Sequence, residues 1–194
     1  MMKKIALVLL VGAAIFTGCS SSKTVTRVDS DSQIDLSGRW NDTDSRLVAE
    51  EMVRDGLSRV WVTDFVEENG KKPTVIVGII RNKTSEHIST ETFTNDIERE
   101  FINSGKVRVV QGGEEREELR KERADQQEFA SAATTKRWGM ERGADFILQG
   151  TVSSVTDSNG KQSLLFYQTD LELTHLETNE KVWIGSKKIK KVIN

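Results

Sequence analysis

Cys19, His87 and His175 are the first side chains to weigh, because thiols and imidazoles most readily attack carbonyls, move protons or hold metals. The chain of 194 residues has one Cys and two His. No H-E-x-x-H or comparable spacing joins them, so both histidines read as surface or structural residues. No Ser stands in G-x-S-x-G. Asp64, Glu67 and Glu68 form an acidic cluster. Paired carboxylates cleave glycosides when one is held protonated at a set distance from the other. Near Gly70 they read instead as solvated loop charges, and no D-x-D-x-D-G loop makes them calcium ligands. Gly112-Gly113 could offer N–H groups to an anion, but without a Walker lysine a turn is the simpler reading. The sequence therefore predicts no catalytic residue, no metal site and no cofactor. With 28 Lys+Arg against 30 Asp+Glu, it also lacks the basic excess of a nucleic-acid binder.

Cys19 has another use. Lys3 and Lys4 precede an apolar run over residues 5–16. That run is shorter than the roughly 20 residues needed to span a bilayer, and it fits the core of a secretory signal. Phe16-Thr17-Gly18-Cys19 resembles a bacterial lipobox, with Phe16 where Leu is usual. Residues 1–18 are then a signal peptide, and Cys19 becomes the lipidated N-terminus. Fatty acyl chains such as palmitate add about 0.8 kcal/mol of membrane affinity per buried CH₂. Ser20, rather than Asp, follows the cysteine, which by analogy with enteric lipoproteins suits the periplasmic face of the outer membrane. Residues 19–34 read as the lipidated Cys and a short polar tether, with an r.m.s. reach of about 20 Å. Residues 35–194 read as a single globular domain.

The elements of that domain follow from periodicity. A helix is expected from Asn41 or Asp42, with Val48, Ala49, Met52, Val53 and Leu57 on one stripe. Residues 60–66 suggest a short strand or extended link. Residues 74–81 (TVIVGIIR) are a β-branched apolar run expected to be covered on both faces. Phe93, Ile97 and Phe101 mark a helix over residues 90–103, capped by Ser89 and closed by Gly105. A short strand at 107–110 precedes two helices, at 114–127 and 128–142. Strands at 145–155, 163–175 and 181–193 form an antiparallel meander, with turns at 157–160 and 178–180. In the middle strand Leu165, Tyr167, Leu171 and Leu173 alternate with polar residues, so Leu171 points inward. The fold class is α/β (α+β): a mixed sheet of four to five strands flanked by helices.

Three surface features could meet a partner. In the charged helix, Arg116, Arg120 and Arg123 could reach a partner's carboxylates through their planar forks. The plainer reading is a solvated face with an internal Glu117–Lys121 pair. Lys187, Lys188, Lys190 and Lys191 either guard an exposed sheet edge or attract anionic glycan or lipid. Of the four tryptophans, Trp183 reads as core, and Trp40 as either core or interface.

Asp35-Leu36-Ser37-Gly38-Arg39-Trp40-Asn41-Asp42-Thr43-Asp44, the strand into Arg81-Asn82-Lys83-Thr84, and Arg142-Gly143-Ala144-Asp145-Phe146-Ile147-Leu148-Gln149-Gly150 with Lys181-Val182-Trp183 together resemble the LpoB family. These are outer-membrane lipoproteins that activate penicillin-binding proteins. The Gly-Ala-aromatic strand is also similar to the TolB N-terminal domain and to CsgG. The resemblance implies a non-catalytic regulator whose partner is a bifunctional penicillin-binding protein, a peptidoglycan synthase. It also implies a docking face at Lys83, which stands where enteric members carry Arg, then Asn82, then Lys136. The alternative is an envelope assembly or interaction module of the CsgG or TolB kind. Enteric members carry a long Pro-rich tether, and this chain's is short and lacks Pro.

Overall fold

Asn41 starts the first helix, α1 (Asp42–Leu57). Its side chain accepts from the Asp44 backbone N–H at 3.1 Å, and the Asp44 carboxylate accepts from the Asn41 N–H at 3.0 Å. This reciprocal box satisfies two orphan donors of the first turn. The expected stripe from Val48 to Leu57 is buried. The computed structural model describes residues 24–29, 32–131 and 141–194. Residues 1–32 and 33–194 form two compact units; in the first, the described residues carry no regular structure. The described helices and strands all belong to the second.

The stretch expected as a strand at 60–66 is helical: α2 spans Trp61–Asn69. Val62, Thr63 and Val66 favour strands locally, but Trp61 and Phe65 lie one turn apart and both are buried. They pack on Phe146 with ring centres 5.0 and 5.3 Å away. Gly70, at φ 62°, closes the helix, its N–H donating to the Val66 carbonyl. β1 (Thr74–Asn82) follows, then α3 (Thr90–Ser104), capped by Ser89 and ended by Gly105 at φ 64°. Phe93, Ile97 and Phe101 are its buried face. The short β2 is Arg108–Val109.

The charged helix α4 (Gly113–Phe129) buries none of its residues. It absorbs Glu128 and Phe129, which were expected to open a separate helix. Glu141 and Arg142, at that helix's far end, carry no regular structure. Lys136 and the rest of 132–140 lie outside the described residues, as does Cys19.

β3 (Phe146–Ser158), β4 (Ser163–His175) and β5 (Lys181–Ile193) form the meander. The sheet order is β2-β1-β3-β4-β5, parallel through β3 and antiparallel beyond it. The fold is thus a mixed α+β five-strand sheet. The β3–β4 turn sits at 159–162, later than the sequence suggests. There the Asn159 side chain accepts from the N–H groups of Lys161 and Gln162, and Gly160 takes φ 83°.

Helices α1 to α3 cover one sheet face, joining Val75, Val77, Ile80, Leu148, Val152 and Leu171 in a single core. Trp183 belongs to that core, and its indole N–H donates to Asp55 at 2.8 Å. The hydrogen bond from Trp183 holds Asp55 below its ordinary pKa despite desolvation. Among the described residues, no helix packs against the opposite sheet face. The described residues therefore leave β1 only partly covered on that face: Ile76 is half-buried beside Gly112, but Ile79 is 63% exposed, beside a register irregularity between Val77 and Ile80. Among the described residues, no helix is long and apolar enough to cross a membrane.

Candidate partner-binding site

The loop after β1 is pinned from within. Asn82 accepts from the Thr84 N–H at 2.9 Å and the Thr84 hydroxyl at 2.7 Å, and donates to the Glu86 carbonyl at 2.7 Å. The Lys83 N–H continues the ladder to the Val152 carbonyl at 2.7 Å. Asn82 is thus taken up in holding the loop, while the Lys83 side chain is exposed.

A second clasp fixes the loop to the core. Tyr167 is fully buried, and its hydroxyl donates to Glu86 Oε1 at 2.5 Å. The Trp40 N–H is shared between Tyr167 Oη at 3.1 Å and Glu86 Oε2 at 3.3 Å. Burial, reinforced by the Glu86 carboxylate, pushes the Tyr167 phenol far above its usual pKa. Trp40 sits edge-on to Tyr167 and Phe93 at 5.6 and 6.0 Å and donates from Nε1 to Ser45 Oγ at 2.8 Å. Its role is that of an anchor. Glu86 was invisible to sequence reasoning, since its partner is 81 positions away and no local pattern marks it.

The α4 arginines are engaged inside the molecule. Arg120 grips Glu141 with two parallel bonds of 3.0 Å and meets Glu117 at 2.5 Å. Glu117 therefore pairs with Arg120 and not with the expected Lys121. Arg123 also reaches Glu141, at 3.4 Å, and Arg116 donates to the Gln111 carbonyl. The Arg120 fork holds Glu141 below the usual carboxylate range. These partners, Gln111, Glu117 and Glu141, all lie outside the Lys83 loop.

The four C-terminal lysines do not act alike. Lys187 pairs with Glu51, and Lys191 pairs with Asp35 and with Asp44 at 2.7 Å, while donating to the Arg39 carbonyl. The Lys191 side chain is 10% exposed, so it is a structural cation and not an edge guard. Lys188 and Lys190 are exposed. β-alternation from Trp183 was the signal that could have separated the two sets.

The remaining candidates stay structural. His175 packs edge-on against Phe146 at 4.9 Å and accepts from the Thr178 N–H, stapling a turn. Asp64, Glu67 and Glu68 are exposed on α2. Among the described residues, no group of His, Cys, Asp and Glu is placed to hold a metal. Gly112 and Gly113 form the turn and N-cap of α4.

The sequence profile described as "Peptidoglycan-synthase activator LpoB" matches residues 44–189. The chain belongs to the LpoB family. Its structure is similar to the LpoB C-terminal domain from Escherichia coli at 18% identity, over 76% of this chain and 99% of that one, with a TM-score of 0.45. It is also similar to the NMR structure of E. coli LpoB (17% identity, 90% and 87% coverage, TM-score 0.41). Lipoprotein GNA1162 from Neisseria meningitidis matches at 16% identity, over 62% and 83%, with a TM-score of 0.38. Comparison with curated proteins finds no match. At these identities and scores, the family assignment rests on the profile alone.

Proposed function

We infer that this chain is a lipid-anchored envelope protein that binds and activates a bifunctional peptidoglycan synthase and does no chemistry itself. The family match over 44–189, from the first turn of α1 into β5, carries the reading. Residues 1–18 serve as the signal, Cys19 carries the lipid, residues 19–34 are the tether, and residues 35–194 are the regulatory domain on the periplasmic face of the outer membrane.

Lys83 is the leading contact. Its backbone is tied into the sheet and its charge stands in water, so presenting it to a partner costs little ordering. Asn82 acts by bracing that loop. The α4 arginines are secondary, because a partner must first compete with Glu141. Lys136 is a further candidate in the same family pattern.

The test is binding of the full-length lipidated protein, in detergent, to each purified bifunctional synthase, with glycan polymerisation as a second readout. Wild type binds one of them and raises its rate. Lys83→Glu slows association and weakens binding, most at low salt, while its stability stays within about 0.5 kcal/mol of wild type. A wild-type protein that binds none of the synthases would sink the activator reading in favour of an assembly module. A Lys83→Glu variant that binds as well as wild type would move the docking face elsewhere.

A further inference from the structure

The exposed lysines of β5 share a face with an apolar patch. Strand register sets Lys190 beside Phe166 and Phe166 beside Val155. The next row is Val192, Leu164 and Asp157. Val155 is 64% exposed and Val192 62%, and the Lys190 ammonium lies 5.9 Å from the centre of the Phe166 ring. Lys188 is one row in, and Lys161 is exposed on the adjoining turn. Among the described residues, Asp157 stands in that row, Asp170 is bonded to Gln168, the neighbour of Lys188, and Asp35 is paired with Lys191; the Asn194 side chain is bonded to Gln162. Edge protection explains lysines on β5. It does not explain apolar exposure on β3 and β4, which are interior strands.

This end of the sheet also receives the tether. Asp35 pairs with Lys191, and a Cβ at Gly38 would lie 2.8 Å from the Ile193 side chain. Residues 35–38 therefore leave the domain beside the last residues of β5. β1 stops opposite Val152 while β3 runs on to Ser158, so the β3–β4 tip projects past the end of β1. The tether between Cys19 and this point has an r.m.s. reach of only about 20 Å.

We propose that this tip rests on the membrane that holds the lipid anchor, with Val155, Leu164, Phe166 and Val192 against the interface and Lys161, Lys188 and Lys190 on anionic phospholipid headgroups. The inference depends on lipidation at Cys19. Lysines extend their charge to headgroup level while their stems lie along apolar surface, and basic residues near an anionic leaflet are drawn to it. Asp157 and Asp170 keep the attraction weak. Weak attraction suffices, because a short tether to the anchor would hold the tip at roughly millimolar effective concentration.

The experiment uses the full-length lipidated protein in vesicles of phosphatidylethanolamine and phosphatidylglycerol. A fluorophore is placed at Val155→Cys or, as control, at Ile102→Cys. Ile102 is 60% exposed near the end of α3, where Lys72 reaches Gly105 and Lys106 reaches Leu57, at the opposite end of the sheet. A quencher carried on the lipid headgroups should dim position 155 several-fold more than position 102. Lys188→Glu with Lys190→Glu should bring position 155 down to the control level, with unchanged melting. Vesicles that fail to retain the protein would remove the anchor and the inference with it. Retained protein with equal quenching at both positions would overturn the inference alone. Equal quenching at position 155 with and without phosphatidylglycerol would overturn the headgroup assignment. Protection of position 155 only on adding a purified synthase would make the tip a protein-docking face instead.

Discussion

Lys191 shows how one side chain couples distant parts of the chain. It bridges Asp35, before the first helix, and Asp44, in that helix's capping box, 156 and 147 positions away. Burial works to lower its pKa, but the hydrogen bonds to Asp35 and Asp44 outweigh that and raise it. The Lys191 hydrogen bond in turn holds Asp35 below its ordinary value, against desolvation. Lys191→Met keeps much of the stem and removes the charge, leaving Asp44, 5% exposed, without its cation. The expected loss is about 2–3 kcal/mol, read by urea unfolding near neutral pH. A raised cation contributes stability in full below its unfolded pKa of about 10.4 and loses it as pH climbs through the folded value. A depressed carboxylate contributes above about 3.9 and loses its share as pH falls through the folded value. The gap between wild type and Lys191→Met should therefore be flat near neutrality and narrow at both extremes. A gap that widens at alkaline pH would contradict this pairing.

At the scale of elements, the faces of the meander rest on close approach between β3 and β4. Gly150 stands opposite Leu171. A Cβ on Gly150 would come within 2.4 Å of both the Asp170 carbonyl oxygen and Leu171 Cδ2, so Gly150→Ala must displace backbone as well as side chain. It should cost about 1–3 kcal/mol. Leu171→Ala, which empties a site 1% exposed, should cost about 2–5 kcal/mol, and Gln168→Ala on the open face less than about 0.5 kcal/mol. Comparable small losses for Leu171→Ala and Gln168→Ala in thermal unfolding would reverse the faces of β4. These alternations were legible because a strand repeats every two residues, and α1 and α3 were legible because their apolar stripes and caps agree. α2 was not, because Val62 and Val66 speak for a strand while the deciding contact, Trp61 and Phe65 on Phe146, is remote in sequence. The Lys83 loop was legible as a strand end, but its brace was not: Glu86 and Tyr167 are 81 positions apart in sequence. Among the docking candidates, the Arg residues of α4 showed their charge in the sequence and hid their partner, Glu141.

For the whole molecule, the tether sets what the domain can reach. Enteric relatives with long Pro-rich tethers hold their domains far from the anchor, since polyproline segments stay extended at about 3.1 Å per residue. This chain has one Pro, Pro73, inside the folded domain. On the proposed lipid anchor, a short polar tether would keep the domain near the bilayer, and a synthase would have to bring its own docking region to that membrane. The same shortness would keep the β3–β4 tip close to headgroups, as proposed. Inserting a flexible Gly/Ser segment of roughly 30 residues between Ser32 and Gln33 tests both consequences. The site lies outside every helix and strand, so the melting temperature and the affinity for a synthase in detergent should not change. Effective concentration falls as about the −3/2 power of tether length, so a threefold longer tether lowers it about five-fold. Quenching at position 155 should drop accordingly. If reach limits activation, cells carrying the longer form should show more synthase activity, not less. Unchanged quenching would mean that the tip holds the membrane without help from the tether, and a lower melting temperature would mean that residues before Gln33 support the fold.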